Sequence, residues 1–193
     1  MDLISIPQKQ GIKMNKALII VDVQNDFVTG SLAVPGAKEI IPIISWIVKN
    51  ANYKLKVATL DWHPENHISF KQWPKHCVQN SVGSSLALEH DMISAGLPLI
   101  FKGTDINVDS YSGFFDNNHE HATLLETKLK TDFTIDELDI VGIATDYCVK
   151  FTALDAIKLG YKTNVLSFAC RGVTPETTQK AIEEMKDNKI NII

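Results

Sequence analysis

The sequence predicts an α/β protein with three α/β/α layers, in which helices cover both faces of a mainly parallel central sheet of about five to six strands. Two observations predict this architecture. Short apolar runs alternate along the chain with segments of helical periodicity, and the runs are continuously apolar, as in strands buried on both faces. The 193 residues contain no repeat or linker, which predicts a single domain over residues 1–193, with residues 1–14 as a loose N-terminal extension.

The first predicted strand covers residues 17–21, because ALIIV is short, apolar and rich in β-branched side chains. A helix is predicted over residues 35–50, where apolar side chains recur at helical spacing. Gly160 marks the end of a helix over residues 146–159. The remaining elements are predicted strands at residues 55–60, 97–101, 138–143, 162–166 and 189–193, and a helix at residues 175–187.

Composition and charge argue against several classes of protein. A net charge of −4 disfavours nucleic acid and anionic membranes as partners. No apolar run approaches the roughly 18 residues of a transmembrane helix, and residues 1–13 lack the apolar core of a signal peptide. Three widely spaced cysteines indicate free thiols in a reducing compartment. We therefore expect a cytoplasmic protein without nucleic-acid or membrane partners, and the sequence leaves a homo-oligomer open.

Half of the six histidines lie in the segment from Asp61 to Cys77, which reads DWHPENHISFKQWPKHC. Imidazole nitrogens and carboxylate oxygens are ligands that a borderline divalent metal prefers. Asp61 and His63 can point to one face of an extended segment, and His76 returns after a loop. His67 is either a fourth ligand or a residue that orients one. Three ligands with open positions predict one divalent ion, zinc first, with iron or manganese as alternatives.

Chemically able side chains follow four predicted strands, at the sheet edge where ligands of such folds bind. They are Asp22, Asp61, Lys102 and residues 144–148. Cys148 begins a predicted helix, whose dipole is expected to lower the thiol pKa and whose N–H groups can stabilise an oxyanion. Asp22 can accept the thiol proton. Lys102 can orient that acid and hold the thiolate by charge.

Each of these groups also has a structural interpretation. Cys148 by itself would be a buried helix residue, Asp22 a loop carboxylate that caps a turn, and Lys102 a solvated lysine at a strand end. Asp26 is expected to be a structural turn residue rather than a second catalytic acid. The coincidence of chemically able groups at several strand ends favours the catalytic interpretation.

Several aromatic side chains are candidates for the walls of a pocket that holds a flat aromatic substrate. The prediction rests on their position alone, because aromatic residues more often belong to the core. The candidates are Phe27, Trp62, Trp73 and Tyr111.

These motifs resemble those of the nicotinamidases, which belong to the isochorismatase-like cysteine hydrolase superfamily. The resemblance extends from about Ala17 to Thr178. The segment ALIIVDVQNDF (17–27) matches the family's first strand and catalytic aspartate, and residues 61–67 and 73–78 match its metal-binding segment. Residues 101–103 and 111–114 match the region around its lysine, and VGIATDYCV (141–149) matches the region around its nucleophile.

The resemblance implies an isochorismatase-like hydrolase fold and hydrolysis of nicotinamide to nicotinate and ammonia through a cysteine thioester, within NAD salvage and pyridine nucleotide biosynthesis. It implies that a metal ion binds the pyridine ring. It also implies a cis peptide between Ile143 and Ala144, which would aim the N–H groups of Ala144 and Cys148 at the oxyanion.

Two departures from the family pattern stand at residues 81–84 (SVGS), where the family often has a Thr-Pro-Gly-Ala-like turn, and at Tyr147, where some members carry histidine. One alternative function is hydrolysis of another amide or carbamoyl substrate within the same superfamily. Another, from a different class, is a non-catalytic metal-binding or nucleotide-binding α/β module. The glycine-rich turn of a dinucleotide site is missing after the first predicted strand, and the complete set of Asp22, Lys102 and Cys148 argues against a non-catalytic module.

Overall fold

A computed structural model describes residues 15–88, 96–131 and 134–193, so the extension predicted over residues 1–14 lies outside the described residues. The described chain forms one sheet of six strands: β1 (Lys16–Val21), β2 (Leu55–Asp61), β3 (Leu99–Lys102), β4 (Glu137–Ile143), β5 (Lys162–Arg171) and β6 (Asn191–Ile192). Neighbouring strands are all parallel, in the order β3-β2-β1-β4-β5-β6. The predicted parallel sheet is confirmed.

Five α-helices are described: α1 (Asn25–Val28), α2 (Ala37–Asn50), α3 (Leu125–Thr131), α4 (Lys150–Lys158) and α5 (Pro175–Asp187). The helix predicted from residue 35 begins later, because Gly36 caps it with a φ of +75°. The helix predicted from residue 146 instead begins with a π-helical turn, Thr145–Val149. Helix α1 and a 3₁₀ turn at Ile68–Lys71 are too short to show a period in the sequence. Within the described residues, no helix is long and apolar enough to cross a membrane.

The two faces of β1 build two separate hydrophobic cores. Leu18 and Ile20 pack into the core shared with α1 and α2. Ala17, Ile19 and Val21 pack into the core shared with α3, α4 and α5. All five side chains have 0% exposure, which explains why the strand is continuously apolar in sequence. The prediction of helices on both faces is therefore confirmed.

Strand β5 extends further than the sequence predicts. The prediction ends at residue 166, whereas the strand continues to Arg171. The pairing with β4 is interrupted, and Cys170 and Arg171 then pair with Gly142 and Ile143. Because the pairing is irregular before Cys170, the sequence pattern does not show that the strand continues to Arg171. The longer strand brings the start of the segment before α5 to the carboxyl edge of the sheet.

The strand order places a crevice between β1 and β4. From β1 the chain proceeds outward through β2 and β3 on one side, and β4 leads outward through β5 and β6 on the other. The crevice opens at the carboxyl ends of the two central strands, where ligands of such sheets bind. Asp22 and Ala144 follow these two strands directly.

Gly142 allows β1 and β4 to approach closely beside this crevice. Its φ is +121°, and a Cβ at this position would lie 2.1 Å from the carbonyl oxygen of Val21. A side chain is therefore excluded both by main-chain conformation and by the neighbouring strand.

We expect Gly142→Ala to lower the free energy of unfolding by at least about 3 kcal/mol, because the added methyl group must displace main chain. The matched control is Gly160→Ala. Gly160 has a φ of +90°, but a Cβ added there would meet nothing within 4 Å. The control should therefore cost only about 1–2 kcal/mol. Denaturant unfolding measures both losses, and equal losses would contradict the close approach of β1 and β4.

Candidate active site

Strands β1, β2 and β3 bring Asp22, Asp61 and Lys102 together at the carboxyl edge of the sheet. The Lys102 ammonium lies 2.9 Å from Asp22 Oδ2 and donates to Asp61 Oδ1. It also donates to the carbonyl of Ser110 at 2.7 Å. The three side chains are buried, and Lys102 is only 2% exposed. One buried ammonium is therefore shared by two buried carboxylates, which would each be costly without it.

A threonine on β2 supports the Asp22 carboxylate. Thr59 Oγ1 donates to Asp22 Oδ1 at 2.7 Å, and the side chain of Thr59 is completely buried. Asp22 has a φ of +48°, so the chain leaves the strand direction at this residue. Sequence reasoning missed Thr59. The available signal was a polar residue inside an otherwise buried strand, two positions before Asp61.

The pKa shifts follow from burial and from the shared ammonium. Burial raises the pKa of Asp22 to about 6, although Lys102 opposes the shift. Burial also opposes a charged Lys102, but attraction to Asp22 and Asp61 outweighs it and holds the lysine pKa well above its usual range. At neutral pH Asp22 is thus mostly an ionised carboxylate, held ready to accept a proton.

Cys148 completes this cluster from the π-helical turn after β4. Its Sγ lies 3.5 Å from Lys102 Nζ and within 4.8 Å of carboxylate oxygens of Asp22 and Asp61. Burial, with the charges of these carboxylates, raises the thiol pKa well above its usual range despite the attraction of Lys102. The expectation that a helix N-terminus lowers this pKa is wrong, because burial has the larger effect. Cys148 is a thiol at rest and needs a base to become a nucleophile.

The turn that carries Cys148 is anchored at Ala144. The Ile143–Ala144 peptide is cis, as the family resemblance implies. The carbonyl of Ala144 accepts hydrogen bonds from the N–H groups of Tyr147 and Val149, at 3.0 and 3.1 Å. Ala144 and Cys148 line one cavity.

His63 and His76 approach Asp61 at Oδ2, the carboxylate oxygen that does not accept from Lys102. His63 Nε2 is 3.5 Å and His76 Nε2 is 3.9 Å from Asp61 Oδ2. Each imidazole contacts a main-chain carbonyl through Nδ1, His63 that of Gly103 at 2.9 Å and His76 that of Pro74 at 2.7 Å. Because a carbonyl only accepts, these bonds place a proton on Nδ1, so in the neutral imidazoles both Nε2 lone pairs face Asp61.

A divalent metal ion fits these three residues. His63 Nε2 is buried and has no hydrogen-bond partner. A buried, unsatisfied nitrogen beside a carboxylate requires an explanation, and a metal ion would supply one by accepting its lone pair. Asp61, His63 and His76 are all buried, and their ligand atoms lie within 4.8 Å of one another.

His67 supports this cluster from behind His63. The two rings stack with their centroids 4.1 Å apart and an angle of 16° between planes. Nδ1 of His67 lies 2.7 Å from Ser69 Oγ, and Nε2 lies 3.2 Å from the carbonyl of Val108. Both ring nitrogens are therefore engaged, which favours the orienting role over that of a fourth ligand.

Aromatic side chains line the cavity that Cys148 also lines. Phe27, Trp73 and Tyr111 line this cavity. Trp62 is not among the lining residues and packs on Phe101 with ring centroids 4.7 Å apart, so its assignment to the pocket is wrong.

Tyr147 also lines the cavity, and sequence reasoning missed this role. Its ring meets Trp73 edge-on at 5.1 Å and Tyr111 at 5.6 Å. The indole of Trp73 donates to the hydroxyl of Tyr111 at 3.2 Å. The three side chains hold one another in place, which makes a flat aromatic ligand a suitable occupant.

Asp26 has the structural role that the sequence predicts. Its Oδ2 accepts from the N–H of Cys77 at 2.8 Å, and its Oδ1 accepts from the N–H of Ser31 at 3.2 Å. The carboxylate therefore ties the residue after His76 to the segment that follows α1.

Gly103 permits the position of His63. Its φ is +62°, and a Cβ would lie 2.5 Å from Cε1 and 2.7 Å from Nδ1 of the His63 ring. The imidazole therefore packs directly against the glycine whose carbonyl it contacts.

A thiol, a carboxylate and a lysine at the carboxyl edge of a parallel sheet define an α/β cysteine hydrolase, here with a metal-ligand set beside the thiol. The isochorismatase domain model matches residues 16–193. The chain belongs to the isochorismatase family.

Relatives with known names and structures are similar along most of the chain. A nicotinamidase from Escherichia coli (strain K12) is 42% identical over 195 aligned residues, which cover 88% of this chain and 90% of that protein. The crystal structure of the Pyrococcus horikoshii pyrazinamidase in complex with zinc is 40% identical, covers 93% of this chain and 98% of its own, and has a TM-score of 0.81. The yeast nicotinamidase bound to the inhibitor nicotinaldehyde is 35% identical, with coverages of 92% and 99% and a TM-score of 0.87.

We expect Gly103→Ala to weaken metal binding at least tenfold, because the methyl group must push the His63 ring away from Asp61. Chelator competition with the purified protein measures the dissociation constant. Gly160→Ala, another glycine with positive φ, should keep the wild-type affinity, and His63→Ala gives the reference for loss of a ligand. Wild-type affinity in Gly103→Ala would contradict the assignment of His63.

Proposed function

We propose that this protein is a nicotinamidase, which hydrolyses nicotinamide to nicotinate and ammonia in NAD salvage. The observation that carries the proposal is one cavity lined both by Cys148 and by the proposed metal ligands Asp61 and His76. A hydrolase of another amide or carbamoyl substrate would use the same thiol. The adjacent metal-ligand set favours a substrate with a ring nitrogen.

Acylation begins with proton transfer from Cys148 to Asp22. The Asp22 carboxylate lies within 4.8 Å of the sulfur, and the Lys102 ammonium stabilises the thiolate as it forms. The sulfur attacks the amide carbon, and the carbonyl oxygen becomes an oxyanion. We assign its stabilisation to the N–H groups of Ala144 and Cys148, at about 3 kcal/mol for each donor. Protonated Asp22 then gives its proton to the departing nitrogen, which leaves as ammonia.

Deacylation uses the same acid–base residue. Asp22 accepts a proton from water as the water oxygen attacks the thioester carbon. The carbon–sulfur bond breaks, and the proton on Asp22 returns to the Cys148 sulfur. The nicotinic acid that forms releases its own proton to solvent or to ammonia and leaves as nicotinate. The cycle leaves both residues in their starting states, so no further reactant is needed.

We assign Asp61, His63 and His76 as the ligands of one divalent ion, with zinc the first choice and iron or manganese as alternatives. When bound, the ion supplies a Lewis acid for the pyridine nitrogen. Phe27, Trp73 and Tyr111 would contact the ring, and fixing the ring over the sulfur lowers the entropic cost of attack. The complex of a relative with zinc supports this choice of metal.

The proposal takes residues 1–193 as one catalytic domain in the cytoplasm, with nicotinamide as its small-molecule partner. The three cysteines are free thiols, which supports a reducing compartment. The net charge of −4 supports the absence of nucleic acid and membrane partners. A homo-oligomer is compatible with this function.

Cys148→Ala should reduce ammonia release from nicotinamide at least 10³-fold, because the thioester can no longer form. Metal content should stay at the wild-type level. The matched control is Cys170→Ala, another buried cysteine, which should remain active. Substantial turnover by Cys148→Ala would refute the assignment of Cys148 as the nucleophile.

Benzamide, which lacks the ring nitrogen, tests whether the enzyme selects its substrate through that nitrogen. Equal turnover of benzamide and nicotinamide, unaffected by chelator, would favour the alternative amide hydrolase.

The ratio kcat/KM should fall as the pH decreases through about 6, because a protonated Asp22 cannot accept the thiol proton. The hydrogen bond from Thr59 favours the carboxylate and lowers this pKa. Thr59→Val should therefore move the acidic limb upward by roughly one pH unit. A pH profile of the metal-saturated enzyme measures the shift. An acidic limb that Thr59→Val leaves in place would assign the titration to another group.

A further inference from the structure

The regular pairing of β1 with β2 ends at Val21 and Thr59, two residues before Asp61 at the end of β2. The N–H of Asp22 donates to the carbonyl of Thr59 at 3.2 Å, as in the ladder. In a regular parallel ladder the Asp22 carbonyl would accept the next bond from the N–H of Asp61. Here that carbonyl instead accepts from the N–H of Gln24 at 2.8 Å. The turn at Asp22 thus removes the strand partner of Asp61.

The side chain of Gln24 replaces the missing strand. Its Oε1 accepts from the N–H of Asp61 at 2.8 Å, and its Nε2 donates to the carbonyl of Asp61 at 2.8 Å. The second Nε2 hydrogen goes to the carbonyl of Ser84 at 2.9 Å. Gln24 is completely buried, so these bonds have no competition from water.

The chemistry of this position suits glutamine. The surrounding main chain offers one donor and two acceptors, and a primary amide supplies one acceptor and two donors. A glutamate would bring an oxygen against two carbonyls. An asparagine is one methylene shorter and cannot maintain the same contacts from an unchanged main chain.

We propose that Gln24 is a positioning residue for Asp61. By fixing the main chain of Asp61, it sets the affinity of the metal site and keeps the Asp61 carboxylate in contact with Lys102, which Asp22 also contacts. Asp61 divides its carboxylate between these two functions, with Oδ1 accepting from Lys102 and Oδ2 facing the histidine Nε2 atoms. A shift of its main chain would disturb both at once. The inference rests on the proposed function in taking Asp61 as a metal ligand.

The test compares metal affinity with stability in Gln24 variants of the metal-loaded protein. Gln24→Leu removes all three bonds, and Gln24→Asn keeps a polar amide in case the leucine variant does not fold. Chelator competition with zinc should give a dissociation constant 10–100-fold higher than that of the wild type, the usual effect of removing a residue that orients a ligand. Excess zinc should restore part of the activity.

Asn164→Leu is the matched control. Asn164 is 2% exposed, and its amide donates to Glu137 and Asp139 at 2.7 and 2.6 Å, at the opposite end of the strands. This variant should lose thermal stability but bind zinc within twofold of the wild type.

Three results separate the outcomes of this test. Wild-type zinc affinity in a folded Gln24→Asn or Gln24→Leu variant would overturn the inference and leave the proposed function standing. An equal loss of zinc affinity in Asn164→Leu would show that general destabilisation causes the loss, and this would also overturn the inference. If the Asp61→Asn variant binds zinc as tightly as the wild type, the proposed metal site is overturned, and the inference with it.

Discussion

The ammonium of Lys102 is the interaction on which the candidate site depends. Asp22 and Asp61 are almost fully buried, and neither carboxylate has another cationic side chain as close within the described residues as Lys102. Removing that charge would leave two carboxylates repelling each other in a region of low dielectric. The same ammonium lies next to Cys148, so it also limits the cost of a thiolate. Asp22, Cys148 and Asp61 therefore all depend on the charge of one lysine.

The sequence predicted that Asp22, Asp61 and Lys102 lie close together, because each of them stands at the end of a predicted strand. A continuous apolar run such as ALIIV predicts a buried parallel strand, and parallel strands bring their carboxyl ends to one edge. The cluster around Asp61 was visible because its ligands are close in sequence. The pKa of Cys148 was predicted in the wrong direction, since the helix dipole can be inferred from sequence whereas the depth of burial cannot.

The roles that sequence reasoning missed belong to residues whose function depends on register. Thr59 reaches Asp22 only because their strands are paired with this alignment, and Gln24 reaches Asp61 only because β1 turns away at Asp22. Tyr147 lines the cavity from the π-helical turn that also carries Cys148. For Gln24 and Tyr147, composition and periodicity offer no signal, because polar or aromatic side chains are common at such positions. A polar residue inside a buried strand was a signal for Thr59, but it does not identify Asp22 as its partner.

The divided carboxylate of Asp61 has an evolutionary consequence. One oxygen accepts from Lys102, which we propose assists cleavage of the amide bond, and the other faces the two histidines proposed to hold the metal ion. A lineage that exchanged the two histidines for other side chains would change which molecules are accepted while the ammonium, the acid and the thiol kept their contacts. Substrate preference can therefore diverge by few substitutions, whereas replacing Asp61 itself would alter both halves in a single step.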